Sequence, residues 1–129
     1  MLIEDAEYRE QSAVAKVLDD WHVFRYCEFV GFAFEGGHVD GNFIGCTFKE
    51  LDWYWGLFNC CVFVDTTFEK CVFRGASFSD CRFVDCEFTD CQFLQDNLGG
   101  SCSAEGARVY GSTAKGCKGE EFLFANVAA

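Results

Sequence analysis

The chain has 129 residues, enough for one domain with a single core. Half of it is apolar, which argues against disorder, and no apolar run approaches the ~18 residues of a membrane span. Twenty-one acidic against ten basic side chains leave a formal charge of −11, which disfavours unaided binding to DNA, RNA or an anionic membrane.

The first segment, residues 1–21, begins M-L-I-E-D-A-E-Y, acidic where a signal or transit peptide would be basic. Val14, Val17, Leu18 and Trp21 follow at helical spacing and predict a helix over residues 3–20, with Glu4, Asp5 and Glu7 at its positive end. From residue 22 the chain repeats. Counting from a central apolar residue, Phe24, Phe29, Phe34 and Val39 keep a period of five. The register slips by one residue at G-G-H-V-D-G-N. It then runs without a break through Phe43, Phe48, Trp53, Phe58, Phe63, Phe68, Phe73, Phe78, Phe83, Phe88, Phe93 and Leu98. Beyond Gly99-Gly100 the pattern degenerates, with Ala104, Val109, Ala114, Gly119, Phe124 and Ala129 at the centres. Nine of the ten Cys stand two residues before a centre; Cys60 alone does not.

A period of five fits neither the helix nor the flat strand. It fits a chain that turns a corner every five residues, so that four sides close a coil of about twenty residues and coils stack at ~4.8 Å. The large central residue fills the axis. Cys, Ala, Ser, Thr or Gly two places earlier must be small enough to lie beside it, and the other three residues face solvent, with Gly, Asp or Asn expected at corners. The total lack of proline agrees, because stacked coils need every backbone N–H.

The unit of small residue, polar residue, Phe or Leu and two polar residues over Cys46–Leu98 resembles the pentapeptide-repeat proteins. The resemblance implies an all-β solenoid, a right-handed quadrilateral β-helix, here of about five coils. Residues 1–21 would be its helical cap, 22–98 its regular repeats and 99–129 its degenerate repeats. Some members of the family bind DNA gyrase or topoisomerase IV as mimics of DNA.

The residues themselves offer no catalytic, metal or cofactor site. There is no C-x-x-C pair, neither His22 nor His38 has a relay partner, and no Gly-rich loop opens a helix. Cys61 would stack on Cys81 and Cys71 on Cys91, as free buried spacers rather than disulfides or metal ligands, which places the protein in a reducing cytoplasm. Cys60 points outward, a surface residue or a dimer-linking thiol.

A protein partner is the expectation that remains. Ile44, Val64 and Val84 form an outward column with Val62 beside it, and Tyr54, Trp55 and Leu57 cluster where other units are polar. Either group would serve a partner or a second copy of the chain; strand preference or local packing would explain them as well. The alternative surface is acidic: Asp65, Asp80, Asp85, Glu87 and Asp90. It is thin for a DNA mimic. Residues 22–129 carry fifteen acidic and eight basic side chains, whereas ~26 Å of duplex presents roughly 15 phosphate charges.

Overall fold

The computed structural model describes residues 1–125; the expected centre at Ala129 lies outside them. Two short strands open the chain, β1 (Leu2–Glu4) and β2 (Glu7–Tyr8), followed by helix α1 (Gln11–Asp19). The first full coil is β3 (Val23–Arg25), β4 (Glu28–Val30), β5 (Ala33–Glu35) and β6 (His38–Val39). The second is β7 (Asn42–Ile44), β8 (Thr47–Lys49), β9 (Asp52–Tyr54) and β10 (Leu57–Asn59). The third is β11 (Val62–Val64), β12 (Thr67–Glu69), β13 (Val72–Arg74) and β14 (Ser77–Ser79). In the fourth, β15 (Arg82–Val84), β16 (Glu87–Thr89) and β17 (Gln92–Leu94) are completed by a bridge of Ser103 to Ser77. The fifth has β18 (Arg108–Tyr110), β19 (Thr113–Lys115) and a Lys118–Gln92 bridge, and ends in helix α2 (Glu121–Phe124).

Equivalent strands pair in parallel and make the four sides of a solenoid. Face A is β1-β3-β7-β11-β15-β18, face B is β2-β4-β8-β12-β16-β19, face C is β5-β9-β13-β17 and face D is β6-β10-β14. The register follows the period of five: Phe24, Phe43, Phe63, Phe83 and Val109 align on face A. The step from Phe24 to Phe43 is one residue short of twenty because the chain slips at Asp40–Gly41, as the glycine-rich segment suggested.

The core is a column of aromatic rings. Along one face rings stack nearly parallel, Phe48 on Phe68 at 5.0 Å and Phe68 on Phe88 at 4.6 Å. Around one coil they meet edge to face, as Phe63 does Phe68 at 5.3 Å. Both arrangements suit the ring quadrupole. The small inward residues do more than make room. Cys71 donates its S–H to the Phe48 carbonyl (3.3 Å), Cys86 to Phe63 (3.3 Å) and Cys91 to Phe68 (3.2 Å). Thr66 and Ser112 donate an O–H in the same way, to Phe43 (3.1 Å) and Phe83 (3.2 Å). Cys, Thr and Ser are therefore interchangeable here as small donors, one coil above a carbonyl acceptor.

Every corner demands a left-handed residue. Gly and Asp supply most of them, but Tyr26, Glu50, Trp55, Cys60 and Lys70 also sit at φ between 53° and 58°. The expectation of Gly, Asp or Asn was too narrow. A hydrogen bond to the next coil holds each strained corner: Lys70 N–H donates to the Thr89 carbonyl and Cys60 N–H to Ser79, both at 2.9 Å.

Two expectations fail at the ends. The helix covers only residues 11–19, and residues 2–8 already form half a coil, with Ile3 aligned on Phe24 and Tyr8 on Phe29. Ile3 and Tyr8 are five apart with Ala6 at the small position, so the signal was there without its phenylalanines. Glu4 bonds Arg25 instead of the helix end, and Trp21, beyond the helix, is 52% exposed. Val14 and Leu18 do cap the core. At the other end Leu98 is not a centre: it is 84% exposed at the tip of a loop, and Ala104 takes its place on face D. The regular repeats thus stop at Leu94. Phe122 and Phe124 close the C-terminal end, their rings 5.3 Å from Phe93 and 5.8 Å from Phe88.

Candidate functional site

Alternation along each strand sends the residues on either side of a centre outward. On face A this lines up Val62 with Asn42 and Arg82, and Val64 with Ile44 and Val84. Ile44, Val62, Val64 and Val84 therefore share one flat surface and are all half-buried. The same columns continue to Val23 and Tyr110, which sequence reasoning missed; Tyr110 is hidden by the loop insertion that shifts it 26 residues from Val84. The charges of face A stand on β1 and β3 at one side and, as Arg82 and Arg108, on β15 and β18 at the other. Arg25 pairs with Glu4 at one, and Arg82 at the other folds back onto the carbonyls of Asp80 (3.3 Å), Cys81 (3.2 Å) and Gly106 (3.1 Å). Between them the second and third coils, β7 and β11, carry no charge on face A, and Val84 extends the apolar column of Ile44 and Val64 beside Arg82.

The aromatic cluster is not part of it. Tyr54 lies on face C, Trp55 on the corner between C and D, and Leu57 on face D opposite His38 and Ser77. Tyr54 and Trp55 are occupied within the chain. The Trp55 indole N–H donates to Asp96 (2.7 Å), and the Tyr54 hydroxyl accepts from the Asn97 N–H (2.6 Å). Asp96 also accepts from the N–H groups of Leu98 and Gly100, so the two aromatics latch the loop that carries Leu98. The bond from Trp55, then those from the backbone, hold the Asp96 carboxyl below its ordinary value. Gly75 lies beneath this latch; a Cβ there would come within 2.8 Å of Asp96.

The acidic residues do not form one patch. Asp65 and Asp85 stack on the corner between faces A and B, Asp80 stands on the corner between D and A, and Asp90 on that between B and C. Glu87 lies on face B beside Thr67 and Thr113. Asp65 and Asp85 thus rim the apolar strip on one side and Asp80 on the other.

All ten thiols are free, and Cys60 is the exposed one. Burial pushes Cys46 up to about 12 and Cys86 up to about 11, and burial followed by the neighbouring Cys91 lifts Cys71 well above its ordinary value. The thiolate is the reactive form, so these groups are inert. Among the described residues no group of three or more His, Cys, Asp or Glu is placed to hold a metal. Titration of the native protein with a thiol reagent should find one fast group, removed by Cys60→Ser, and all ten in denaturant. Fast reaction of Cys61, Cys71 or Cys81 would contradict the packing.

The family model for pentapeptide repeats matches residues 58–93 in eight copies. The same spacing continues on both sides of that segment, and the chain folds as a parallel β-solenoid of about five coils. No curated protein matches it in sequence. Among solved structures it is similar to full-length QnrB1, a plasmid-mediated fluoroquinolone resistance protein. The TM-score is 0.56 and the identity 14%, over 91% of this chain and 67% of that one. A trypsin-treated variant of QnrB1 aligns at TM-score 0.44 and 17% identity, over 87% of this chain and 58% of that one. At 14% identity the likeness to full-length QnrB1 is one of fold.

Proposed function

We propose that this chain is a non-catalytic protein-binding module, of the inhibitor or immunity type, that takes its partner on face A. The observation that carries this reading is the apolar strip of Ile44, Val62, Val64 and Val84 on a rigid parallel sheet. Patches of this kind, apolar at the centre and charged at the rim, are how protein surfaces recognise one another. Ten unpaired thiols suit a reducing compartment such as the cytoplasm.

The Val64 side chain is half-buried on the outer surface of the sheet, so Val64→Asp should change stability by only about 0.5–1 kcal/mol. An unpaired charge buried at the interface costs several times that. Captures from the host lysate by wild type, Val64→Asp and Glu87→Lys should share one partner, or a second copy of the chain, that Val64→Asp alone loses while its circular dichroism stays native. Equal capture by wild type and Val64→Asp would remove face A from the reading.

A second reading, mimicry of DNA towards gyrase or topoisomerase IV, draws on the fold shared with a fluoroquinolone resistance protein. The spread of the acidic residues over three corners weighs against it, as does their small number. A supercoiling assay with a quinolone present discriminates: protection of the enzyme would favour mimicry, and its absence the first reading.

A further inference from the structure

The four faces are covered unequally at the N-terminal end of the solenoid. β1 and β2 lie over the first strands of faces A and B, and α1 packs against β6, where the Asp40 N–H donates to the Leu18 carbonyl (2.9 Å). β5 is the terminal strand of face C, and among the described residues no strand lies beyond it. Further along that face, the residue before each centre donates to the preceding coil: Asp52 to the Phe32 carbonyl (3.1 Å), Val72 to Leu51 (2.8 Å). The residue after each centre accepts there: Tyr54 from the Gly36 N–H (2.7 Å), Arg74 from Trp55 (2.9 Å). The equivalent groups of Ala33 and Glu35 have no preceding coil to meet. In a parallel ladder such alternate residues turn both N–H and C=O the same way, so β5 presents a row of free donors and acceptors.

The surroundings of this edge are shaped and charged. Two adjoining concavities of about 340 and 550 Å³ share Gln11, Phe34 and Glu35. The first runs under α1 to Trp53, the second along Asp52 to Asn97. Phe34 is 7% exposed, whereas Trp53, on which its ring stacks at 4.7 Å, is sealed. The buried Trp53 indole N–H has no acceptor and the buried Asp52 Oδ1 has no donor among the described residues. Glu35, Asp52 and Asp19 outweigh Lys16 in charge, and His38 faces Asp19 at 3.4 Å.

We propose that the edge of β5 docks an extended segment of a partner protein, which adds to face C as its fifth strand. A backbone is the ligand that matches a row of alternating backbone donors and acceptors. One apolar side chain of the segment covers Phe34, and a lysine or arginine beside it meets Glu35 and Asp52. Face C is opposite face A around the coil, so this site is independent of the strip on face A.

The probe is a fluorescein-labelled peptide, serine-lysine-phenylalanine-lysine-glycine-serine, followed by anisotropy. Saturable binding is expected. It should weaken by about tenfold or more when the peptide amides are N-methylated, and again with Ala33→Pro, which deletes a donor facing the groove. Glu35→Lys should lose the lysine peptide and gain one with aspartate in place of lysine. Ala33 and Glu35 are exposed, so circular dichroism should stay native; should Ala33→Pro misfold, the N-methylated peptide carries the test. Val64→Asp should bind the peptide normally, which separates this site from face A. No saturable binding, or equal binding of the N-methylated peptide, would overturn the proposal. A concentration-dependent dimer lost with Ala33→Pro would overturn it as well, by seating a second copy in the groove.

Discussion

Phe73→Ala should cost about 3–5 kcal/mol of stability, from the lost transfer energy and the cavity left behind. Phe73 is fully buried on face C of the third coil. Its ring stacks on Phe93 at 5.1 Å and meets Phe78 at 5.3 Å, Phe58 at 6.1 Å and Phe68 at 6.4 Å. Collapse into the gap is hard because Phe58 and Phe68 belong to strands paired on both sides, while β14 and β17, which carry Phe78 and Phe93, are held on their far sides by the bridges to Ser103 and Lys118. Phe34→Ala removes a ring from the end of the stack, where a concavity already exists, and should cost less. The urea midpoint of both variants decides the matter. Equal losses at Phe34 and Phe73 would mean that the two ends of the ring column are packed alike, against the open edge at β5.

Most of the fold can be read in the sequence because its core admits so few residue types. An axis wide enough for one ring per side repeats Phe every five residues, and the place beside it repeats Cys, Ala, Ser or Thr. Once the register is fixed, the facing of every side chain follows, which is why Ile44, Val64 and Val84 could be placed on one surface. The failures lie where a different residue satisfies the same need. Ile3 and Tyr8 stack on Phe24 and Phe29 without being phenylalanine. Leu98 suits a centre by size, yet the chain leaves the coil there, because Asp96 turns back to Trp55 and closes a loop through Leu98 and Gly100. That bond joins residues 41 apart across the corner over Gly75, and no local pattern announces it. The open edge of β5 is hidden for a related reason: it depends on α1 covering face D and not face C.

Gly41→Ala should cost about 2–4 kcal/mol, because two costs coincide. Gly41 lies at φ +127°, a conformation that side chains rarely adopt. Forcing a residue there costs on the order of 1–3 kcal/mol. A Cβ would also come within 2.6 Å of the His22 carbonyl oxygen and 3.3 Å of the His22 nitrogen. Neither atom can yield. The His22 carbonyl accepts the Asn42 N–H at 3.0 Å, and the Gly41 carbonyl accepts the Val62 N–H at 3.3 Å, so one peptide ties three coils at the point where the register slips. Gly31→Ala supplies the control. Gly31 has φ +75° and open space where its Cβ would be, so only the backbone cost of about 1 kcal/mol should appear. The difference between the two melting curves isolates the collision. If Gly41→Ala lost no more than Gly31→Ala, the first and second coils would not be pressed together at His22, and the one-residue slip would need another explanation.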